Sequence, residues 1–82
     1  MTDIDKDILA AIITVLKECA GRPLAARPLA TYVNGYTRAH ATLPDVQRHI
    51  DDLERRGYVQ RVADRLDPAQ LKWTLTEAGS QL

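Results

Sequence analysis

Apolar positions in the first nineteen residues recur at the spacing of an α-helix. Five of them follow one another three or four residues apart: Ile4, Ile8, Ile12, Val15 and Cys19. A second stripe lies roughly 100° around the same helix and consists of Leu9, Ile13 and Leu16. Gly21 followed by Pro23 ends the helix. Because the two stripes together are wider than a typical core face, we expect this helix to be covered on more than one side.

A second helix is predicted within residues 22–44. Arg22 precedes a proline and is therefore pushed out of helical space, which allows a short third strand near 22–24. Pro28 suits the first turn of a helix whose large apolar residues are Leu29, Tyr32, Val33 and, at its margin, Tyr36. The pair Asn34-Gly35 is typical of a turn or a helix end. A run of small and polar residues then leads to the next element.

The third helix, at about 44–56, has the clearest boundaries. Thr42 or Leu43 is the candidate cap, Pro44 suits the first turn, and Asp45 favours the positive end of the helix dipole. Gly57 is placed to end the helix. The apolar face is formed by Val46, Ile50 and Leu53. The opposite face presents Pro44, Arg48, Asp51, Asp52 and Arg55.

After Gly57 the pattern changes from helix to strand. Residues 58–62 and 71–75 are rich in β-branched and aromatic side chains, as strands are. Asp67-Pro68 interrupts the chain between them, so they predict an antiparallel hairpin. Thr76 opens a last helical turn. Three helices and one hairpin face must share one interior, for which we predict Ile8, Ile12, Val15, Val46, Ile50, Leu53, Val59 and Leu75.

Composition narrows the class of protein. With 82 residues, 45% of them hydrophobic, the chain has the size of one domain spanning 1–82. Its one cysteine, Cys19, excludes an intramolecular disulfide, fits a reducing compartment and lies on an apolar stripe, which predicts a core residue. Neither a membrane-spanning run nor a signal peptide is recognisable. The expectation is a soluble, cytoplasmic protein.

Chemistry-bearing motifs are sparse. Ser80 has no nucleophile motif around it, and phosphate-binding loops, paired carboxylates in a pocket and zinc-ligand spacings are missing, so we expect neither an enzyme nor a cofactor. Asp45, His49 and Asp52 share one flank of the third helix. Without further ligands, that flank favours dipole and salt-bridge roles over metal binding.

Charge is unevenly distributed. Lys and Arg number 11, as do Asp and Glu, yet residues 20–65 hold eight arginines against five acids. This excess of arginine in the middle of the chain is compatible with phosphate binding.

The order of elements and one local pattern resemble a known family. Residues 53–61 carry Leu-Glu-x-x-Gly-Tyr-Val-x-Arg, which is similar to the junction between recognition helix and wing in MarR- and PadR-type transcriptional regulators. Asp64-Arg65 stands where that family has Asp-x-Arg in the wing, and 75–79 match its Leu-Thr-x-x-Gly. The resemblance implies a mostly α, α+β fold, the winged helix-turn-helix: three helices followed by a two-stranded β-hairpin wing.

The same resemblance implies a function. A small transcriptional regulator of this type would bind double-stranded DNA sequence-specifically, with the helix at 44–56 in the major groove and the wing at 58–75 along the backbone or minor groove. Gln47 and Arg48 would then reach bases. The full set of implied DNA-binding residues is Gln47, Arg48, Asp51, Arg55, Arg61, Arg65, Arg38 and His40.

Two questions stay open at this stage. Asp45, Asp51 and Asp52 put negative charge on the surface that would meet phosphates, so a winged helix that binds a protein partner without DNA is the alternative. The stripe of Leu9, Ile13 and Leu16 could be covered by the C-terminal turn or the back of the wing. It could equally pack against a second copy across a two-fold axis as a homodimer.

Overall fold

The computed structural model describes residues 3–19, 21–37, 40–63, 66–67 and 70–82. The elements run in the order α1 (Asp3–Glu18), β1 (Leu24–Ala25), α2 (Ala26–Tyr36), α3 (Leu43–Arg55), β2 (Val59–Ala63), β3 (Leu71–Leu75) and α4 (Glu77–Ser80). The strands form one antiparallel sheet in the order β1-β3-β2. This is the predicted winged-helix architecture, with the third strand at 24–25 rather than 22–24.

The core lies between the three long helices and the sheet. Of the eight predicted core residues, seven are buried and Leu75 is half-buried at the margin. Trp73 on the central strand is buried too, and Cys19 packs half-buried against the cluster. In the first apolar stripe of α1, Ile4 is the exposed residue. Its exposed fraction is 59%, because it lies a full turn before Ile8, where the buried part of α1 begins.

The second stripe of α1 is covered within the chain. Ile13 and Leu16 are only 9% and 3% exposed, and Leu9 is half-buried. The strand β3 and the turn α4 pack on this helix, and Lys17 Nζ donates a hydrogen bond to the backbone oxygen of Leu82. Of the two coverings that the sequence leaves open, the structure shows the intramolecular one, and a homodimer through Leu9, Ile13 and Leu16 stays a prediction.

Asn34 binds the loop before α3 instead of ending its own helix. Helix α2 continues through Asn34 and Gly35 to Tyr36, so the predicted turn at this pair is wrong. The side-chain Nδ2 of Asn34 donates to the backbone oxygen of Ala41 at 3.0 Å, and the backbone nitrogen of Ala41 donates to Oδ1 at 2.8 Å. These two bonds, with Ala41 itself buried, fix where the chain enters α3.

Both ends of α3 have the capping residues expected from the sequence. At its start Thr42, not Leu43, is the cap: its Oγ1 accepts from the backbone nitrogen of Asp45, whose carboxylate accepts from the backbone nitrogen of Thr42. At its end Gly57 has φ +84°, a left-handed conformation that glycine adopts without steric cost. The backbone nitrogen of Tyr58 donates to the oxygen of Leu53 at 3.0 Å, which completes a Schellman motif.

The turn that follows the wing packs back onto this junction. Thr76 donates from its backbone nitrogen to the oxygen of Tyr58 at 3.0 Å and from its hydroxyl to the oxygen of Gly57 at 2.6 Å. The same hydroxyl accepts from the backbone nitrogen of Gly79 and so caps α4. The two sequence motifs at 53–61 and 75–79 therefore meet in space. Across the described residues, none of the helices is long and apolar enough to span a membrane.

Candidate nucleic-acid interface

A shallow groove of about 620 Å³ runs between α3 and the wing strand β2. We call it the helix–wing groove, and it is lined by Pro44, Gln47, Arg48, Asp51, Glu54, Arg55 and Arg61. Five of the eight predicted DNA-binding residues are thus brought together on one surface. His40 lies exposed in the loop before α3 and does not line it. Arg38 and Arg65 lie outside the described residues.

Within the groove, two neighbouring turns of α3 are linked by a side-chain hydrogen bond. Gln47 Nε2 donates to Asp51 Oδ1 at 3.0 Å, and both side chains are half-buried. The four-residue spacing puts them on one helix face. Asp51, one of the implied DNA-binding residues, is therefore hydrogen-bonded to another residue of the same set.

Arg61 is held against α3. Its Nε donates to Glu54 Oε2 at 2.7 Å. This hydrogen bond, together with the attraction of the carboxylate, raises the pKa of Arg61 above its ordinary value. Glu54 is not among the predicted site residues. It lies two helical turns after Gln47 on the same face. The family-like pattern at 53–61 contains both Glu54 and Arg61, and this shared motif is the signal that could have found it.

The two arginines on the face of α3 opposite its apolar face, Arg48 and Arg55, also lie near carboxylates. Arg48 is 3.5 Å from Asp45 and 4.0 Å from Asp5, and Arg55 is 3.6 Å from Asp52. The Arg48 and Arg55 side chains are nevertheless 69% and 77% exposed. Ion pairs this exposed are worth about 0–1 kcal/mol, so water and phosphate compete with them easily. The face consequently presents both signs of charge rather than a continuous positive stripe.

The flank of Asp45, His49 and Asp52 has the structural roles predicted for it. Asp45 completes the capping box of α3 with Thr42. The hydrogen bonds from the backbone and side chain of Thr42 hold the pKa of Asp45 below its ordinary value. Asp52 pairs with Arg55 and Arg56. Among the described residues, no cluster of three or more histidine, cysteine or acidic side chains could hold a metal ion.

His49 joins α3 to α1. It is 6% exposed, with Nδ1 2.6 Å from the backbone oxygen of Asp45 and Nε2 3.0 Å from Asp5 Oδ1. A carbonyl and a carboxylate both accept hydrogen bonds, so the imidazole donates toward each when both its nitrogens carry a proton. No local pattern indicates this contact, because Asp5 and His49 are 44 positions apart.

Comparison with known proteins supports the fold. Neither a protein-family model nor a curated protein matches the sequence. Among solved structures, a probable transcriptional regulator from Pseudomonas aeruginosa is similar with a TM-score of 0.73 and 23% identity, over 99% of this chain and 52% of that one. The transcriptional regulator BldR from Sulfolobus solfataricus is similar with a TM-score of 0.66 and 25% identity, over 88% of this chain and 48% of that one. A mutant of MarR from E. coli, complexed with operator DNA, is similar with a TM-score of 0.67 and 21% identity. The match covers 99% of this chain and 49% of that one.

The fold of this chain is therefore the winged helix of MarR-type transcriptional regulators, as the junction pattern implies. The three matched proteins are regulators rather than enzymes, in agreement with the expectation from the sequence. This chain spans about half the length of the solved structures that it matches.

Proposed function

We propose that this chain is a DNA-binding domain that recognises double-stranded DNA sequence-specifically in transcriptional regulation. The observation that carries the proposal is the helix–wing groove. Five polar or charged side chains that a winged helix would use on DNA line one surface, and a neighbour with this fold was solved on operator DNA. In this arrangement α3 enters the major groove and the wing follows the backbone or minor groove.

The positions of the groove residues suit two different roles, base contacts at the start of α3 and phosphate contacts near its end and on β2. Gln47 and Arg48 lie near its start and would meet base edges, whereas Arg55 in its last turn and Arg61 on β2 would lie toward phosphates. Arg48 and Arg55 are largely exposed, and their ion pairs are weak enough to be exchanged for DNA contacts. Arg38, His40 and Arg65 complete the proposed set as phosphate contacts.

The test is binding to duplex DNA at two salt concentrations, starting from fragmented genomic DNA. Arg48→Ala is expected to relax sequence preference by about 1–3 kcal/mol, the worth of a bidentate base contact. Arg61→Ala and Arg65→Ala are expected to weaken binding to all sequences alike and to flatten its salt dependence. Lys17→Ala is the matched control, because Lys17 lies at the α4 end of α1 and its loss removes the same charge outside the groove.

A protein-binding winged helix is the second candidate, and one observation favours it. Arg48, Arg55 and Arg61 each have a carboxylate within 4.0 Å, so the face that would meet DNA carries mixed charge. DNA affinity depends mainly on uncompensated positive charge. If no duplex binds at about 50 mM salt, and none of the three arginine variants changes that result, the protein-interaction function replaces DNA binding.

A further inference from the structure

The hydrogen bond between Gln47 and Asp51 determines which way the Gln47 amide faces. An ionised carboxylate can only accept hydrogen bonds, so the end of the amide that meets Asp51 must be the nitrogen. Nε2 lies 3.0 Å from Asp51 Oδ1, as this requires. The orientation of the amide therefore follows from the chemistry of its partner.

This contact leaves a specific pair of groups for a ligand. Nε2 carries two hydrogens, of which Asp51 takes one. When that is the hydrogen on the side away from Oε1, the second N–H and the carbonyl oxygen Oε1 remain side by side. Both residues line the helix–wing groove and are half-buried there, which restricts the Gln47 side chain. In this position Gln47 presents one donor and one acceptor in a fixed order.

Among the base edges of the major groove, adenine matches that order best. Adenine presents the acceptor N7 beside the donor N6 amino group, which a glutamine amide satisfies with two hydrogen bonds. Guanine presents two adjacent acceptors, N7 and O6, so Oε1 would face another oxygen there. We propose that Asp51 is a positioning residue that orients Gln47 to read an adenine. The inference rests on the proposed DNA-binding function.

The experiment begins with a site selected by the unmodified chain from a random duplex pool. Each position is then replaced singly, and one A·T pair is expected whose change to G·C weakens binding about tenfold or more. Replacing that adenine with 7-deazaadenine, which lacks the N7 acceptor, is expected to weaken binding as well. Gln47→Met, which keeps the length of the side chain but removes the amide, is expected to abolish the discrimination at this position.

Asp51→Asn and Asp51→Ala form the matched pair that tests positioning. Both variants remove the same negative charge, so any gain in overall affinity through phosphate attraction is shared. The asparagine of the first variant would still offer an amide oxygen to Gln47 Nε2, whereas the alanine of the second offers none. Discrimination between A·T and G·C is therefore expected to survive in Asp51→Asn and to fall to that of Gln47→Met in Asp51→Ala. Circular dichroism of each variant verifies that it is folded.

Two outcomes overturn the inference while DNA binding stands. In one, Asp51→Ala discriminates as well as the unmodified chain. In the other, both Asp51 variants lose discrimination equally, so that an amide oxygen at position 51 does not replace the carboxylate. If the unmodified chain selects no site from the pool, the proposed function fails and this inference fails with it.

Discussion

A Cβ atom placed on Gly79 would lie 2.0 Å from the backbone oxygen of Tyr58. Such an approach is far inside van der Waals contact, so any side chain at this position forces α4 away from the junction between α3 and β2. The same Tyr58 oxygen accepts the hydrogen bond from the backbone of Thr76. Gly79 is thus required where α4 packs against the residues that follow α3.

Gly79→Ala is expected to lower the free energy of unfolding by about 1–3 kcal/mol, the usual cost of overpacking a closely packed site. Urea denaturation followed by circular dichroism measures the effect. Gly35→Ala is the control, because Gly35 lies exposed within α2 and a Cβ there meets nothing within 4 Å. That substitution is expected to stabilise the chain by about 0.5–1 kcal/mol. Equal effects of the two substitutions would contradict the packing of Gly79.

Leu53→Ala is expected to cost about 2–5 kcal/mol, because Leu53 is 3% exposed in the core beneath α3. Thermal and urea unfolding measure the loss, which is a large share of the stability of so small a domain. Leu66→Ala removes the same atoms from a side chain that is 96% exposed and is expected to change little. A melting temperature for Leu53→Ala equal to that of the unmodified chain would show that the core assignment is wrong.

Stability is expected to fall in acid partly through Asp45. Its pKa is lowered in the folded state by the capping hydrogen bonds from Thr42. The carboxylate therefore stabilises the fold above its ordinary pKa, about 3.9, and this contribution is lost as the pH falls through the lowered folded value. Between about pH 5 and pH 2, Asp45→Asn is expected to lose less stability than the unmodified chain. Asp7→Asn is the comparison. If the free energy of unfolding falls with pH at the same slope in the unmodified chain, Asp45→Asn and Asp7→Asn, the capping contribution is refuted.

Asp5→Ala is expected to destabilise the chain by about 1–3 kcal/mol, because it removes the acceptor that faces the buried Nε2 of His49. Asp7→Ala, which removes the same charge from an exposed position of α1, is expected to cost much less. The decrease in the free energy of unfolding caused by Asp5→Ala is expected to be smaller in a chain that also carries His49→Leu, since a leucine side chain needs no acceptor. A double-mutant cycle measures this coupling, and additive effects would show that the contact contributes nothing.

Most of the architecture is predictable because its signals are local. Thr42 with Pro44 and Asp45 begins α3, and Gly57 ends it, within a few residues of the sequence. These signals also place the groove residues of α3 on one face of that helix. What the sequence does not contain is the pairing between distant side chains. Nothing near Asn34 indicates that its amide binds Ala41 rather than ending α2.

The apolar stripe on α1 shows where the sequence leaves two packing arrangements open. The periodicity shows that Leu9, Ile13 and Leu16 lie on one stripe, but it does not show what covers them. In the structure β3 and the short turn α4 provide that cover. Leu16 lies close to residues of both elements, among them Leu75 and Ser80.

The two hydrogen bonds between Asn34 and Ala41 bear on how the connection between α2 and α3 can change in length. They fix the position of Ala41 relative to α2 whatever the number of residues between them. Because the entropy of closing a loop rises only slowly with its length, doubling the loop costs about 0.6 kcal/mol. Residues 37–40 are thus a place to insert a reporter peptide while α3 stays docked, since the inserted chain would leave and re-enter between two fixed points.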